Sequence, residues 1–194
     1  MIEPKTIGGV YTEIFTPRDG IPPENADRVM LDVHGGALYL GNRWLSRFAS
    51  IPYAAQAKIK VVSPDYRQWP EARYPAATDD LLAVYSELLK EYKPENIGIH
   101  GCSAGANFTG QLIPHILKAG LPLPGAIGLY GESITPGISD GLFFWHAAMG
   151  TPMSPAVNNT EDFFRRATEI GYFEGVDILD LFNDPMITPS SSST

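Results

Sequence analysis

Residues 101–105 read Gly-Cys-Ser-Ala-Gly, set between the apolar run Ile97-Gly98-Ile99-His100 and an amphipathic stretch that carries Asn107-Phe108. A serine on a sharp strand-to-helix turn presents its hydroxyl above a sheet, and the chemistry of that arrangement is acyl transfer to the serine oxygen. Gly101 and Gly105 allow a tight turn and close packing of helix on strand. The N-terminus of the following helix adds a field that favours an oxyanion. The pattern also makes a demand: Ser103 needs a base to take its proton and an acid to orient that base. Five residues of this type recur by chance, so the strand before them and the helix after them carry most of the weight.

A second group, His34-Gly35-Gly36-Ala37, follows directly on Val29-Met30-Leu31-Asp32-Val33. Glycines there leave backbone N–H groups free to point into a site, and with the N–H of Ala104 they would form an oxyanion hole. Alone, two glycines after a strand read as an ordinary turn. A third block is Asp65-Tyr66-Arg67-Gln68-Trp69-Pro70-Glu71, then Tyr74-Pro75-Ala76-Ala77 and Asp79-Asp80. It reads as support for the site. Arg67 and Glu71 are expected to pair, Pro70 and Pro75 stiffen the loop, and Asp65 belongs to this bracing and not to a triad.

The elements that must position these groups alternate. Val10 to Phe15, Val29 to Val33, Ile59 to Val62, Ile97 to His100 and Ala126 to Tyr130 read as strands. Trp44 to Ala57 has helical spacing interrupted at Pro52. Asp79 to Tyr92 places Leu81, Leu82, Tyr85, Leu88, Leu89 and Tyr92 on one helical face. The helix after Ser103 carries Phe108, Leu112, Ile113, Ile116 and Leu117, and Pro114 is expected to kink it or end it early. Strands alternating with helices imply parallel pairing in an α/β sheet. Glu132 to Pro185 is rich in aromatics and reads as a helical, lid-like insertion (132–185), with a helix over Asn159 to Ile170. The Pro- and Ser-rich tail, 188–194, reads as disordered.

The 194 residues suit one domain, with 44% hydrophobic and 19% charged residues, ordinary for a globular chain. A net charge of -8 without a basic patch argues against a nucleic-acid partner. Cys102 is the lone cysteine, so internal disulfides are excluded. Met1-Ile2-Glu3-Pro4-Lys5 lacks the basic and apolar regions of a signal peptide, and no apolar run reaches a membrane span, so a cytoplasmic location is the default expectation. No His, Cys or carboxylate cluster has metal-ligand spacing, and no cofactor is expected.

Taken together, His34-Gly35-Gly36-Ala37, then Asp65-Tyr66-Arg67 with Pro70-Glu71 and Tyr74-Pro75-Ala76, then Gly101-Cys102-Ser103-Ala104-Gly105, resemble the hormone-sensitive-lipase-like esterases. These are the α/β-hydrolase group whose hallmark is a His-Gly-Gly-Gly loop. The resemblance runs from about Gly8 to Pro189. It implies an α/β-hydrolase fold, a mostly parallel sheet flanked by helices, in a single partial domain over 1–187. It implies a carboxylic-ester hydrolase acting on short or medium acyl chains of a small-molecule ester. Ser103 would be the nucleophile, the N–H groups of Gly35, Gly36 and Ala104 the oxyanion donors, and His34 a loop-bracing residue.

Several features depart from the group. Ala37 replaces the third glycine, which keeps an N–H but makes left-handed dihedrals costly. Cys102 stands where an acidic residue is usual. The N-terminal cap helices have no counterpart. Asn183-Asp184-Pro185-Met186-Ile187-Thr188-Pro189 resembles the segment before the last two strands, after which the family's triad aspartate and histidine follow, and those strands are expected to be missing. Of the four histidines, His100 reads as core, and His115 stands roughly 15 Å along its helix from Ser103. His146, with Glu132 or Asp140 as the acid, keeps the order Ser, acid, His, although among so many aromatics it reads better as a lid residue.

Three readings follow: an esterase whose chain is a fragment, a non-catalytic small-ligand-binding relative or receptor, and an esterase with the internal triad. The fragment reading expects little or no turnover from the isolated chain. It also expects Ala126 to Tyr130 to form an open sheet edge that promotes self-association.

Overall fold

Apolar alternation along short strands builds the sheet, and what each strand places on each face decides the rest. The computed structural model describes residues 1–131, 172–177, 180 and 184–188. In chain order the elements are β1 (Ile2–Ile7), β2 (Val10–Phe15), β3 (Val29–Val33), α1 (Trp44–Ala57), β4 (Lys60–Pro64), α2 (Ala76–Glu91), β5 (Ile97–Cys102), α3 (Ala104–Lys118) and β6 (Ala126–Tyr130). They form one six-stranded sheet in the order β1-β2-β4-β3-β5-β6. The four strands β4, β3, β5 and β6 are parallel, whereas β1 and β2 form an antiparallel hairpin that joins β4 antiparallel. This is the mostly parallel α/β sheet that the alternating elements imply.

The two faces take opposite halves of each pleat. Val29, Leu31 and Val33 of β3 with Ile97 and Ile99 of β5 enter the main core, where they meet Leu81, Val84, Tyr85 and Leu88 of α2 and Phe108, Leu112 and Ile116 of α3. The alternate residues face α1 and make a smaller apolar cluster of Phe15, Ala54 and Val61, with Met30, Tyr53 and Ile59 packed around it.

Several boundaries differ from the sequence expectation. β1 is an added strand. α2 begins at Ala76, three residues before Asp79, and buries Ala76, Ala77 and Thr78. Neither internal proline ends its helix: α1 runs through Pro52, and α3 continues four residues past Pro114 to Lys118. Burial of Leu112 and Ile116 on either side of Pro114 anchors the chain into the core across the lost backbone hydrogen bond.

Most of the segment read as a lid-like insertion, including the helix over Asn159 to Ile170, lies outside the described residues. Its described residues Tyr172 and Phe173 are buried in the main core. Tyr172 accepts a hydrogen bond from the N–H of Ala77 at 2.7 Å, and its carbonyl accepts one from Tyr74 at 2.8 Å. Ile187 is buried as well, its carbonyl held by Gln111 Nε2 at 3.0 Å. Thr188, the first residue of the segment read as a tail, is also buried.

Candidate active site

The parallel register brings the two glycine-bearing turns together. Val33 of β3 pairs with Gly101 of β5, so the chain leaves both strands at the same level of the sheet, at their carboxyl ends. Open α/β sheets place their ligands at such carboxyl ends. Ser103 follows β5 with φ 55° and ψ -128°, a left-handed conformation costly for a residue with a Cβ, and α3 begins at the next residue. Its N–H is held by the carbonyl of Tyr130 at 2.9 Å, which ties the turn to the end of β6. The two flanking glycines are needed for contact. A methyl at Gly101 would strike the carbonyl of Gly105 and Thr109 Oγ1, and one at Gly105 would strike the carbonyls of Val33 and His34. The structure thus forms the strand–turn–helix that the motif requires.

Gly35 lies directly against this turn. A Cβ there would come within 2.9 Å of the Cys102 carbonyl oxygen and 3.2 Å of Ser103 Cβ. Gly36 has φ +136°, and its carbonyl accepts hydrogen bonds from the N–H groups of Tyr39 and Leu40 at 3.1 and 2.8 Å, closing a turn. Ala37 and Leu38 follow at φ 53° and 73°, so the alanine in place of a third glycine does adopt the left-handed conformation expected to be costly. Ala104 is the first residue of α3, and the N–H groups of a first helical turn have no partner within the helix.

The bracing around these turns differs in part from the sequence expectation. His34 is buried and stacks on Tyr66, with centroids 4.4 Å apart and planes 14° apart. Its Nδ1 lies 2.7 Å from the Gly35 carbonyl oxygen, and Tyr66 Oη donates to the His34 carbonyl. Burial holds the His34 imidazole below its ordinary pKa. The stacking on Tyr66 and the contact with the Gly35 carbonyl brace the loop. Arg67 does not pair with Glu71, which is exposed. Its guanidinium grips Asp80 of α2 at 2.7–3.1 Å, and its N–H donates to the same carboxylate at 2.9 Å. Asp80 lies on the buried side of α2, so a planar donor reaching it gains more than a pair in open water. Asp65 pairs with Arg43 at 3.2 Å, on the supporting side as expected.

A buried polar lock escapes the motif reading. Asp32 and His100 are register partners on β3 and β5, and both face α1. His100 Nδ1 lies 3.0 Å from Asp32 Oδ1, and Ser50 Oγ of α1 donates to Asp32 Oδ2 at 2.6 Å. Ser63 Oγ of β4 bonds the Asp32 carbonyl at 3.1 Å, and Tyr53 Oη lies 2.7 Å from His100 Nε2. The lock clamps together the two strands whose ends carry the glycine loop and the serine turn, so it is a positioning device. The available signal was an aspartate inside an apolar strand, at the depth of a histidine in another.

Among the described residues no side chain hydrogen-bonds Ser103 Oγ. His100 is engaged by Asp32 and Tyr53, and His115 is half-buried on α3, its pKa lowered by burial. Glu132, Asp140 and His146 lie outside the described residues. So does most of the segment that would flank the site. Among the described residues no group of three or more His, Cys, Asp or Glu side chains could hold a metal ion, and no helix is long and apolar enough to cross a membrane.

Comparison with known proteins agrees with this geometry. The family described as the alpha/beta hydrolase fold matches residues 30–164. An acetyl-hydrolase of Streptomyces hygroscopicus is 33% identical over 121 residues, which make up 61% of this chain and 40% of that protein. The crystal structure of an esterase, E25, superposes with a TM-score of 0.77 at 29% identity, covering 99% of this chain and 56% of that one. An esterase from the bacterial hormone-sensitive lipase family superposes at 0.74 with 26% identity, covering 97% of this chain and 59% of that one. The chain therefore spans about two fifths of the acetyl-hydrolase and under two thirds of either esterase structure.

Proposed function

The chain belongs to the family of the alpha/beta hydrolase fold, and on that premise we propose that it derives from a carboxylic-ester hydrolase with Ser103 as its nucleophile. The observation that carries this reading is the strained Ser103 turn, packed against Gly35 at the carboxyl ends of two adjacent parallel strands. In the proposed reaction Ser103 Oγ attacks the ester carbonyl, its proton passes to a base, and the oxygen's negative charge is received by the N–H groups of Gly35, Gly36 and Ala104. Donors preorganised in this way contribute a large share of acyl-transfer catalysis. Collapse of the intermediate expels the alcohol and leaves an acyl-serine, which water then hydrolyses. The acetyl-hydrolase relative favours a small acyl group.

A second reading, a non-catalytic small-ligand-binding relative, is favoured by one observation: Ser103 Oγ has no hydrogen-bonding base among the described residues. A stoichiometric burst separates the two. Mixing the chain with p-nitrophenyl acetate or p-nitrophenyl butyrate is expected to release one p-nitrophenolate per chain, with slow turnover afterwards and no burst from Ser103→Ala. Binding of the ester without any burst would favour the ligand-binding reading. Dependence of the burst rate on His146, tested with His146→Ala, would identify that residue as the base.

Self-association through β6 belongs to the same proposal. β6 stands last in the sheet order of the described residues, and Ile127, Leu129 and Tyr130 are exposed there. Strand pairing between two copies would satisfy that edge. A monodisperse monomer in light scattering would overturn it.

A further inference from the structure

α1 is turned inside out for a helix that covers a sheet. Its sheet-facing side buries only the small residues Ser46, Ser50 and Ala54. Its outer side carries Trp44, Phe48 and Ile51, at spacings of four and three residues, and they are 73%, 78% and 48% exposed. Large apolar side chains on one exposed helical stripe mark a docking surface more often than chance exposure does. The stripe runs into an apolar slot of about 280 Å³ lined by Met1, Ile2, Phe15, Pro17, Ile51 and Ala55 among others.

The charge around the stripe selects the partner. No Asp or Glu occurs from Val33 to Pro64, in a chain with 22 acidic residues and a net charge of -8. That stretch carries Arg43 and Arg47 at the start of α1 and Lys58 at its end. Their carboxylate partners, Asp65, Glu13 and Asp19, come from other parts of the chain, and about half of each cationic side chain remains exposed (55%, 49% and 42%). An aromatic and aliphatic stripe flanked by cations suits the boundary between headgroups and acyl chains of an anionic lipid layer. The net negative charge of the chain favours an approach to an anionic layer by a face that carries cations.

We propose that the outer face of α1 docks the protein on anionic lipid surfaces, with Trp44, Phe48 and Ile51 entering the interface and Arg43, Arg47 and Lys58 meeting lipid phosphates. This lies beyond the ester-hydrolase reading and does not depend on it. It also differs from a membrane span, since the helix would lie in the plane of the surface.

Co-sedimentation of the full chain with vesicles tests it. The wild-type chain is expected to pellet with phosphatidylcholine vesicles containing about 30 mol% phosphatidylglycerol, and about ten-fold less with phosphatidylcholine alone or in about 0.5 M NaCl. Trp44→Ser combined with Phe48→Ser should lower pelleting on the anionic vesicles by about ten-fold. Phe48→Ser alone, at the most exposed of these positions, should lower it by a smaller factor and guards against misfolding of the double variant. Ser103→Ala should pellet like the wild type, which separates docking from ester capture at the active site. Equal pelleting of wild type and both serine-substituted stripe variants would overturn the proposal. So would a lack of pelleting by the wild type, or an oligomer that the double variant dissolves without any vesicle binding.

Discussion

The two faces of the sheet solve the problem of holding Ser103 in different ways. Toward α2 and α3, β3 and β5 present aliphatic side chains that interdigitate with aromatics and leucines in one continuous core. Toward α1, the same two strands present Asp32 and His100, and the apolar contact shrinks to a cluster around three buried residues. The first face supplies cohesion, which is non-directional and tolerant of small shifts. The second supplies a directional clamp, with Ser50, Ser63 and Tyr53 fixing the orientation of an aspartate–histidine pair. The difference suggests a division of labour. The core holds the turn in place, and the clamp sets the register between the strand that ends in Gly35 and the one that ends in Ser103.

The largest expected loss comes from the cohesive face. Phe108→Ala should cost about 3–5 kcal/mol, because Phe108 is fully buried between Tyr66 and Tyr172 and its removal leaves a cavity beside the turn. Chemical denaturation would measure this, and a cost below 1 kcal/mol would show that the core can collapse around the gap.

The clamp should respond differently. Asp32→Ala strands His100 Nδ1 and Ser50 Oγ in a buried setting and should cost about 1–3 kcal/mol. Replacing both partners, Asp32→Leu with His100→Leu, should cost less than the sum of the single substitutions, because no orphaned polar group remains between those two positions. Additive costs would mean that the pair does not act as a clamp.

Acid should weaken the fold through a third route. Burial lowers the pKa of both His34 and His115 from the ordinary 6.5, so the folded chain prefers them neutral. Their contribution is fully present above 6.5 and is lost as pH falls below it, since the unfolded chain takes up protons first. The melting temperature should fall between about pH 7 and about pH 5, and His115→Gln should flatten that slope. An unchanged slope in His115→Gln would remove this histidine from the account.

The smallest effect is expected on the outside of α1. Trp44→Ser should change stability by no more than about 0.5 kcal/mol, because that side chain covers no core. A larger loss would show that the stripe is structural and would weaken the contrast between the faces.

Much of this arrangement is legible in the sequence, for identifiable reasons. β2, β3 and β6 carry their boundaries in uninterrupted apolar or alternating runs, and the serine turn announces itself through glycines that cannot carry a side chain. β1 is obscured because Glu3, Pro4, Lys5 and Thr6 are all exposed and give no apolar alternation. The early start of α2 is hidden by alanines and a threonine, which have no strong periodic signature. Glu71 stands only four residues from Arg67 in the sequence, whereas Asp80 is thirteen away and is brought to it by the packing of α2. The Asp32–His100 lock joins residues 68 apart, so no local pattern could reveal it. Helix boundaries at Pro52 and Pro114 mislead for a related reason: propensity describes an isolated helix, and here tertiary packing carries the chain through.

Every role proposed for the turn at the end of β5 requires Ser103 to be an acyl-accepting nucleophile. Mass-spectrometric mapping of the adduct formed with a fluorophosphonate probe would show whether it is. One phosphonyl group per chain is expected on Ser103, absent from Ser103→Ala and added more slowly to Gly35→Ala, whose extra methyl would press on the serine turn. Labelling at another residue, or persistent labelling of the Ser103→Ala chain, would contradict it.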